Sequence, residues 1–130
     1  MARIFTLEEA EALLPRLREL LGEMQAKKSA LDSLRTALAE LEARAAGNGH
    51  LLRAGMAGKR KEAEGLAERL NALLAELNTL GCELKGIEQG LVDFPWEREG
   101  QTVYLCWRLG EERIGYWHEI EAGFAGRQPL

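Results

Sequence analysis

The sequence predicts an α+β protein: a long antiparallel, coiled-coil-like helical hairpin followed by a small antiparallel β-sheet. Leucines recur at helical spacing from residue 7 to residue 80, a glycine-rich stretch interrupts them near the middle, and every Trp and Tyr lies beyond Gly90. With 130 residues, the chain has the length of a single domain over 1–130. Its 46% apolar and 29% charged residues are the balance of a folded chain rather than a disordered one.

The first helix opens at Phe5-Thr6-Leu7-Glu8-Glu9, where Thr6 can cap a free backbone N–H and Glu9 can return the bond. Ala10, Leu14, Leu17, Leu21 and Met24 follow Leu7 in steps of three and four, which is one buried stripe. The stripe jumps to Leu31 past Lys27-Lys28, then resumes at Leu34, Leu38, Leu41 and Ala45, so strict heptads are broken there. Pro15 removes the amide that would bond to Glu11, and a kink is expected. Gly47, Gly49, Gly55 and Gly58 mark residues 46–58 as a flexible connection, with His50 a solvated loop residue.

The second helix carries Ala63, Leu66, Leu70, Leu73, Leu77 and Leu80, with Leu74 widening the stripe. The repeat continues through Leu84, Ile87 and Leu91, but Gly81, Gly86 and Gly90 would each cost a helix interior about 1 kcal/mol relative to Ala. Leu80-Gly81 has the form of a helix C-terminus, so the hairpin is placed at 7–80 and the β-rich part at 82–130. Two striped helices leave part of each stripe uncovered, and a second copy of the chain would cover it.

Aromatic and β-branched residues announce the strands of the last third. Leu91–Phe94 is expected to be extended and ended by Pro95, with a polar turn over 97–100. Residues 102–109 and 114–120 read as a hairpin across the four-residue loop 110–113. That register pairs Leu109 with Ile114, Trp107 with Tyr116, Leu105 with His118 and Val103 with Ile120. It is preferred because it collects the apolar residues on one face, whereas a loop one residue shorter would mix the faces.

Charge and cysteine content narrow the function classes. The net charge of −4 is concentrated in the last third, since residues 1–45, 46–90 and 91–130 contribute −1, 0 and −3. Nucleic acid is therefore not expected as a partner, because its phosphates call for clustered Lys and Arg; Lys59-Arg60-Lys61 is offset by Glu62 and Glu64. No apolar run reaches the roughly 20 residues that span a bilayer, and residues 1–5 do not resemble a signal peptide, so no membrane contact is expected. Two cysteines form neither a disulfide framework nor a four-ligand zinc site, which points to the cytoplasm.

The residues of interest are polar ones in the last third. His118 falls on the apolar face beside Glu119, where a ring satisfied by one hydrogen bond is the ordinary outcome. A metal would need partners among Glu83, Asp93, Glu119 and Glu121, and neither His-x-x-x-His nor Glu-x-x-His spacing is present. In the preferred register Cys106 faces away from His118, so the two are not expected to meet. Arg108, Glu111 and Arg127 can join Asp93 in a polar cluster that locks the tail onto the sheet. Residues 123–127 lack the context of a phosphate loop, and Trp96 and Trp117 are packing residues or a contact patch.

The strings Gly90-Leu91-Val92-Asp93-Phe94-Pro95, Val103-Tyr104-Leu105-Cys106-Trp107 with Gly110-Glu111, Tyr116-Trp117-His118 and Gly123-Phe124-Ala125-Gly126-Arg127 resemble the bacterial family of uncharacterised proteins catalogued as domain of unknown function 2203. The opening Phe5-Thr6-Leu7-Glu8-Glu9-Ala10, with Leu13-Leu14-Pro15, is similar to it too. The resemblance spans nearly the whole chain and implies no activity.

No catalytic constellation, metal set or cofactor motif stands out, and the leading expectation is not an enzyme. It is a structural or protein-interaction module that homodimerises through its helical hairpin and meets a further protein partner. The alternative is a metal-binding protein or enzyme with a site around Asp93, His118 and Glu119.

Overall fold

The computed structural model describes residues 3–48 and 50–130, and the side chains of residues 46–52 lie outside the description. Three helices, α1 (Leu7–Ala12), α2 (Leu14–Asn48) and α3 (His50–Thr79), precede five strands, β1 (Glu83–Gly86), β2 (Leu91–Arg98), β3 (Gln101–Arg108), β4 (Tyr116–His118) and β5 (Gln128–Pro129). The architecture is α+β, as expected. The chain divides into two compact units: Glu23–Leu74 forms one, and Met1–Gly22 with Ala75–Leu130 forms the other.

Thr6 caps α1 with a full capping box, accepting from the Glu9 amide at 3.1 Å while Glu9 accepts from the Thr6 amide at 2.8 Å. Pro15 does more than kink the helix. The backbone turns at Leu13, whose N–H bonds to Ala10 and Glu11 carbonyls, and α2 begins afresh at Leu14. Pro15 thus occupies a first turn, where its missing N–H leaves no helical bond unmade.

In the unit Glu23–Leu74, α2 and α3 run antiparallel, since Glu23 pairs with Arg69 and Glu42 with Arg60. Leu38, Ala45 and Met56 form a buried cluster with Leu41 and Ala63 packed against it. The flexible connection expected over 46–58 is much shorter, because α2 reaches Asn48 and α3 starts at His50, with Gly55 and Gly58 inside it. Residue 49 and the His50 side chain lie outside the described residues. Gly55, Gly58 and Gly65 within one helix are costly, but a paired apolar stripe outweighs propensity.

In the other unit, α3 ends as expected. Leu80 and Gly81 form the turn, Gly81 takes φ +91°, and β1 follows. The strands make a five-stranded antiparallel meander in the order β1-β2-β3-β4-β5. Pro95 does not end β2. Its carbonyl accepts from the Phe5 amide at 2.8 Å, so its missing N–H also points away from β3 and costs no β2–β3 bond. The β2–β3 turn is the two residues Glu99 (φ 51°) and Gly100 (φ 80°), the left-handed pair that suits strand twist.

The β3–β4 register is the one that the apolar pattern argued against. Tyr104 pairs with His118, Leu105 with Trp117 and Cys106 with Tyr116, one residue displaced from the expected register. Leu109 and Ile114 lie outside the strands. Leu109 donates to the Gly90 carbonyl, and the Ile114 amide donates to Glu11 at 3.1 Å. One sheet face carries Val92, Phe94, Val103, Leu105, Trp107 and Trp117, all buried. It meets the helices of the same unit, with Phe5 packed edge-on to Phe94 and Arg18 over Trp107. The opposite face carries Glu83, Asp93, Tyr104, Cys106 and His118.

Gly90 joins β1 to β2 at φ +68°, and a Cβ there would lie 2.5 Å from Leu109 Cβ. Gly100 has a similar φ of +80° but open space around it. Gly100→Ala is expected to lose about 1 kcal/mol of stability from backbone strain alone. Gly90→Ala adds overpacking and should lose roughly 2–4 kcal/mol, read by urea unfolding followed by Trp fluorescence.

Candidate metal centre

Three neighbouring strands each bring one potential ligand to the polar face. Asp93 of β2 is directly opposite Cys106 of β3, while His118 of β4 is opposite Tyr104 and therefore diagonal to Cys106. Opposite and diagonal neighbours on one face are within side-chain reach. The carboxylate oxygen, thiol sulfur and imidazole nitrogen accordingly lie within 4.8 Å of one another, and all three residues are buried.

His118 is held at both ring nitrogens. Its Nδ1 is 2.8 Å from the Glu119 carbonyl, which can only accept, so Nδ1 holds the proton and donates. Nε2 is then turned to Asp93 Oδ2 at 3.0 Å. A ring N–H given to a backbone carbonyl is how proteins orient a histidine whose other nitrogen serves as a metal ligand. Burial pushes the Asp93 carboxyl above its ordinary range, and the adjacent His118 and Lys85 charges pull it back only in part. Burial likewise raises the Cys106 thiol to about 11, helped by the Asp93 charge and opposed by Arg127.

The cluster forms one end of a pocket of about 290 Å³ whose other walls are Lys85, Leu91, Ile120, Gly123 and Phe124. Lys85 pairs with Glu83 at 3.1 Å and lies 4.9 Å from the Tyr104 ring; Glu83 also accepts the Tyr104 hydroxyl at 2.8 Å. Next to the pocket, Arg127 donates to Glu111 at 2.7 Å and to the Cys106 carbonyl at 3.3 Å. Its guanidinium stacks on Tyr116 and Phe124, while its Nε is buried without a hydrogen-bond partner. The Glu111 carboxylate also accepts the Arg108 amide at 2.7 Å.

The polar cluster expected in this region therefore resolves into two. Asp93 and His118 come together, joined by Cys106. Glu111 and Arg127 form a separate clamp. Glu119 supplies only its carbonyl and Arg108 only its backbone, and both side chains are exposed. Glu83 serves Tyr104 and Lys85, and Glu121 is exposed. The register expected from the apolar pattern turns Cys106 away from His118, whereas the observed one, displaced by a residue, brings them to one face. The signal for it in the sequence is the shorter loop, which puts Cys106 and His118 together.

Similarity then supplies a family. The model described as "Uncharacterized conserved protein (DUF2203)" matches residues 3–130. The chain belongs to this family. No curated protein and no solved structure matches it. The DUF2203 match covers all three members of the cluster and both members of the clamp.

Two thiols hold their protons more tightly in the folded chain than in the unfolded one, since Cys82, raised by burial, also reaches about 11 from 9.0. Folded-state pKa values above the unfolded ones make their contribution complete below about pH 9 and lost as pH climbs toward 11. The full loss should be about 3 kcal/mol per thiol, given roughly 1.4 kcal/mol per pKa unit over the rise from 9.0 to about 11. Denaturant unfolding between about pH 8 and pH 11 checks it, and Cys82→Ala should flatten the decline.

Proposed function

We propose that this protein binds one divalent transition-metal ion, of the zinc type, through Asp93, Cys106 and His118. The convergence of these three donors from three strands carries the reading. A carboxylate oxygen, a thiolate sulfur and an imidazole nitrogen suit a borderline-soft ion. Tetrahedral bonds of about 2.0–2.3 Å put donor atoms roughly 3.3–3.8 Å apart. The Asp93–His118 gap of 3.0 Å would open slightly and the sulfur would draw in. Three protein ligands leave a fourth position, which here would face the pocket, as in metal sites that bind an exchangeable water or substrate. The ion would also displace the thiol proton, which burial otherwise holds in place.

A cysteine nucleophile is the weaker use of the same residues. Neither His118 nitrogen is left to deprotonate the thiol, because one donates to Glu119 and the other faces Asp93. A thiol raised to about 11 is a poor nucleophile near neutrality.

Homodimerisation through the hairpin is a second reading, supported by Leu34, Leu66, Leu70 and Leu74, which are only half-buried. Its driving force is smaller than the leucine rows suggest, since the large exposed apolar side chains among the described residues are Ile4, Tyr116, Ile120, Phe124 and Leu130. Sedimentation at micromolar concentration reads it directly, and a stable monomer removes it. A reducing, cytoplasmic setting suits free Cys82 and Cys106. Among the described residues, no helix is long and apolar enough to cross a membrane.

Elemental analysis and metal titration of the purified chain should give one Zn²⁺ or Co²⁺ per chain. Cys106→Ser and His118→Ala are each expected to weaken binding by about 100-fold or more, with circular dichroism checking that the fold persists. Folded wild-type protein that takes up neither ion at micromolar concentration removes the reading.

A further inference from the structure

Three features of the pocket bear on what would occupy its fourth coordination position. The first is size. At about 290 Å³ the pocket is at the small end of ligand sites, which admits a molecule of few heavy atoms and excludes a nucleotide or a peptide. The second is the character of its walls. Leu91, Ile120 and Phe124 line it, and Ile120 and Phe124 are 55% and 39% exposed. Two large apolar side chains exposed at one pocket are unfavourable until something apolar covers them.

The third feature is charge. Asp93 faces His118 and lies within the field of Lys85. An ion on Asp93, thiolate Cys106 and neutral His118 would make a first sphere of net charge zero, with the Asp93 charge committed to the metal. Lys85 lines the same pocket as the three ligands, so an anionic oxygen on the ion's open position would also have an ammonium to accept from. Its ammonium has three donors, and its pairing with Glu83 at 3.1 Å engages one.

Resting on the metal reading, we infer that the pocket binds a small monocarboxylate with a short apolar chain. Its carboxylate bridges the ion and Lys85, and its chain lies against Leu91, Ile120 and Phe124. An alkylammonium of the same size has no lone pair for the ion and is repelled by Lys85. A neutral alcohol covers the walls but gains nothing from Lys85. A small inorganic oxyanion meets the cations but leaves the apolar walls bare.

The test uses the full chain loaded with Co²⁺, whose visible absorption reports coordination and whose thiolate charge-transfer band reports the Cys106 bond. Butyrate should change the visible bands saturably, while butanol and butylamine at equal concentration should not. Lys85→Gln should keep the charge-transfer band and weaken butyrate binding by about tenfold or more. Phe124→Ala should weaken butyrate and leave formate unchanged. The inference is overturned if Co²⁺ binds with its thiolate band but butyrate leaves the spectrum unmoved. It is equally overturned if butanol matches butyrate, or if Lys85→Gln binds butyrate like the wild type. Absence of the thiolate band in folded wild-type protein is a different result: it removes the metal reading, and this inference with it.

Discussion

The pairing of β3 with β4 is the constraint on which the polar face of the sheet depends. Side chains alternate along a strand, so a shift of one residue sends every one of them to the other face. With Tyr104 opposite His118, the imidazole joins Asp93 and Cys106. With Leu105 opposite His118, it would lie among Phe94 and Trp107 with no carboxylate within reach. The observed register is held from both ends of the intervening loop. Leu109 is drawn away to the Gly90 carbonyl, and Ile114 is tied to Glu11 of α1. Neither residue is free to extend the hairpin.

That anchoring explains why the helical part was legible from residue spacing and the site was not. A helix stripe repeats over many turns, so Ala10, Leu14, Leu17, Leu21, Met24, Leu31 and Leu38 could be read one from the next, and all are buried. Thr6 and Glu9 carried the cap in two letters. Strand β4 has three residues, too few for an alternating pattern to assert itself. Its sheet is also covered on both faces, since Leu105, Cys106 and Trp107 in succession are buried. Alternation tells faces apart only when one of them is wet. Pro95 and the glycines at 55 and 58 each carry a local cost that argues against their element, and each sits where its neighbours absorb that cost.

The site itself shows how burial and chemistry are joined. A carboxylate, a thiol and an imidazole removed from water are a liability unless each finds a partner. Asp93 and His118 satisfy one another, the Glu119 carbonyl completes the ring, and the thiol remains protonated. The same three groups that share protons in one state offer donor atoms in another, which is the ordinary competition between protons and metal ions for a ligand set. Acidic residues elsewhere in the last third do not enter this exchange. Glu111 is spent on Arg127, and Glu119 and Glu121 are left in solvent.

Arg127 links the rim of the pocket to its floor. The same guanidinium that stacks on Phe124 holds the carbonyl of Cys106. The aromatic wall and the strand that bears the sulfur thus share one planar group as their common support.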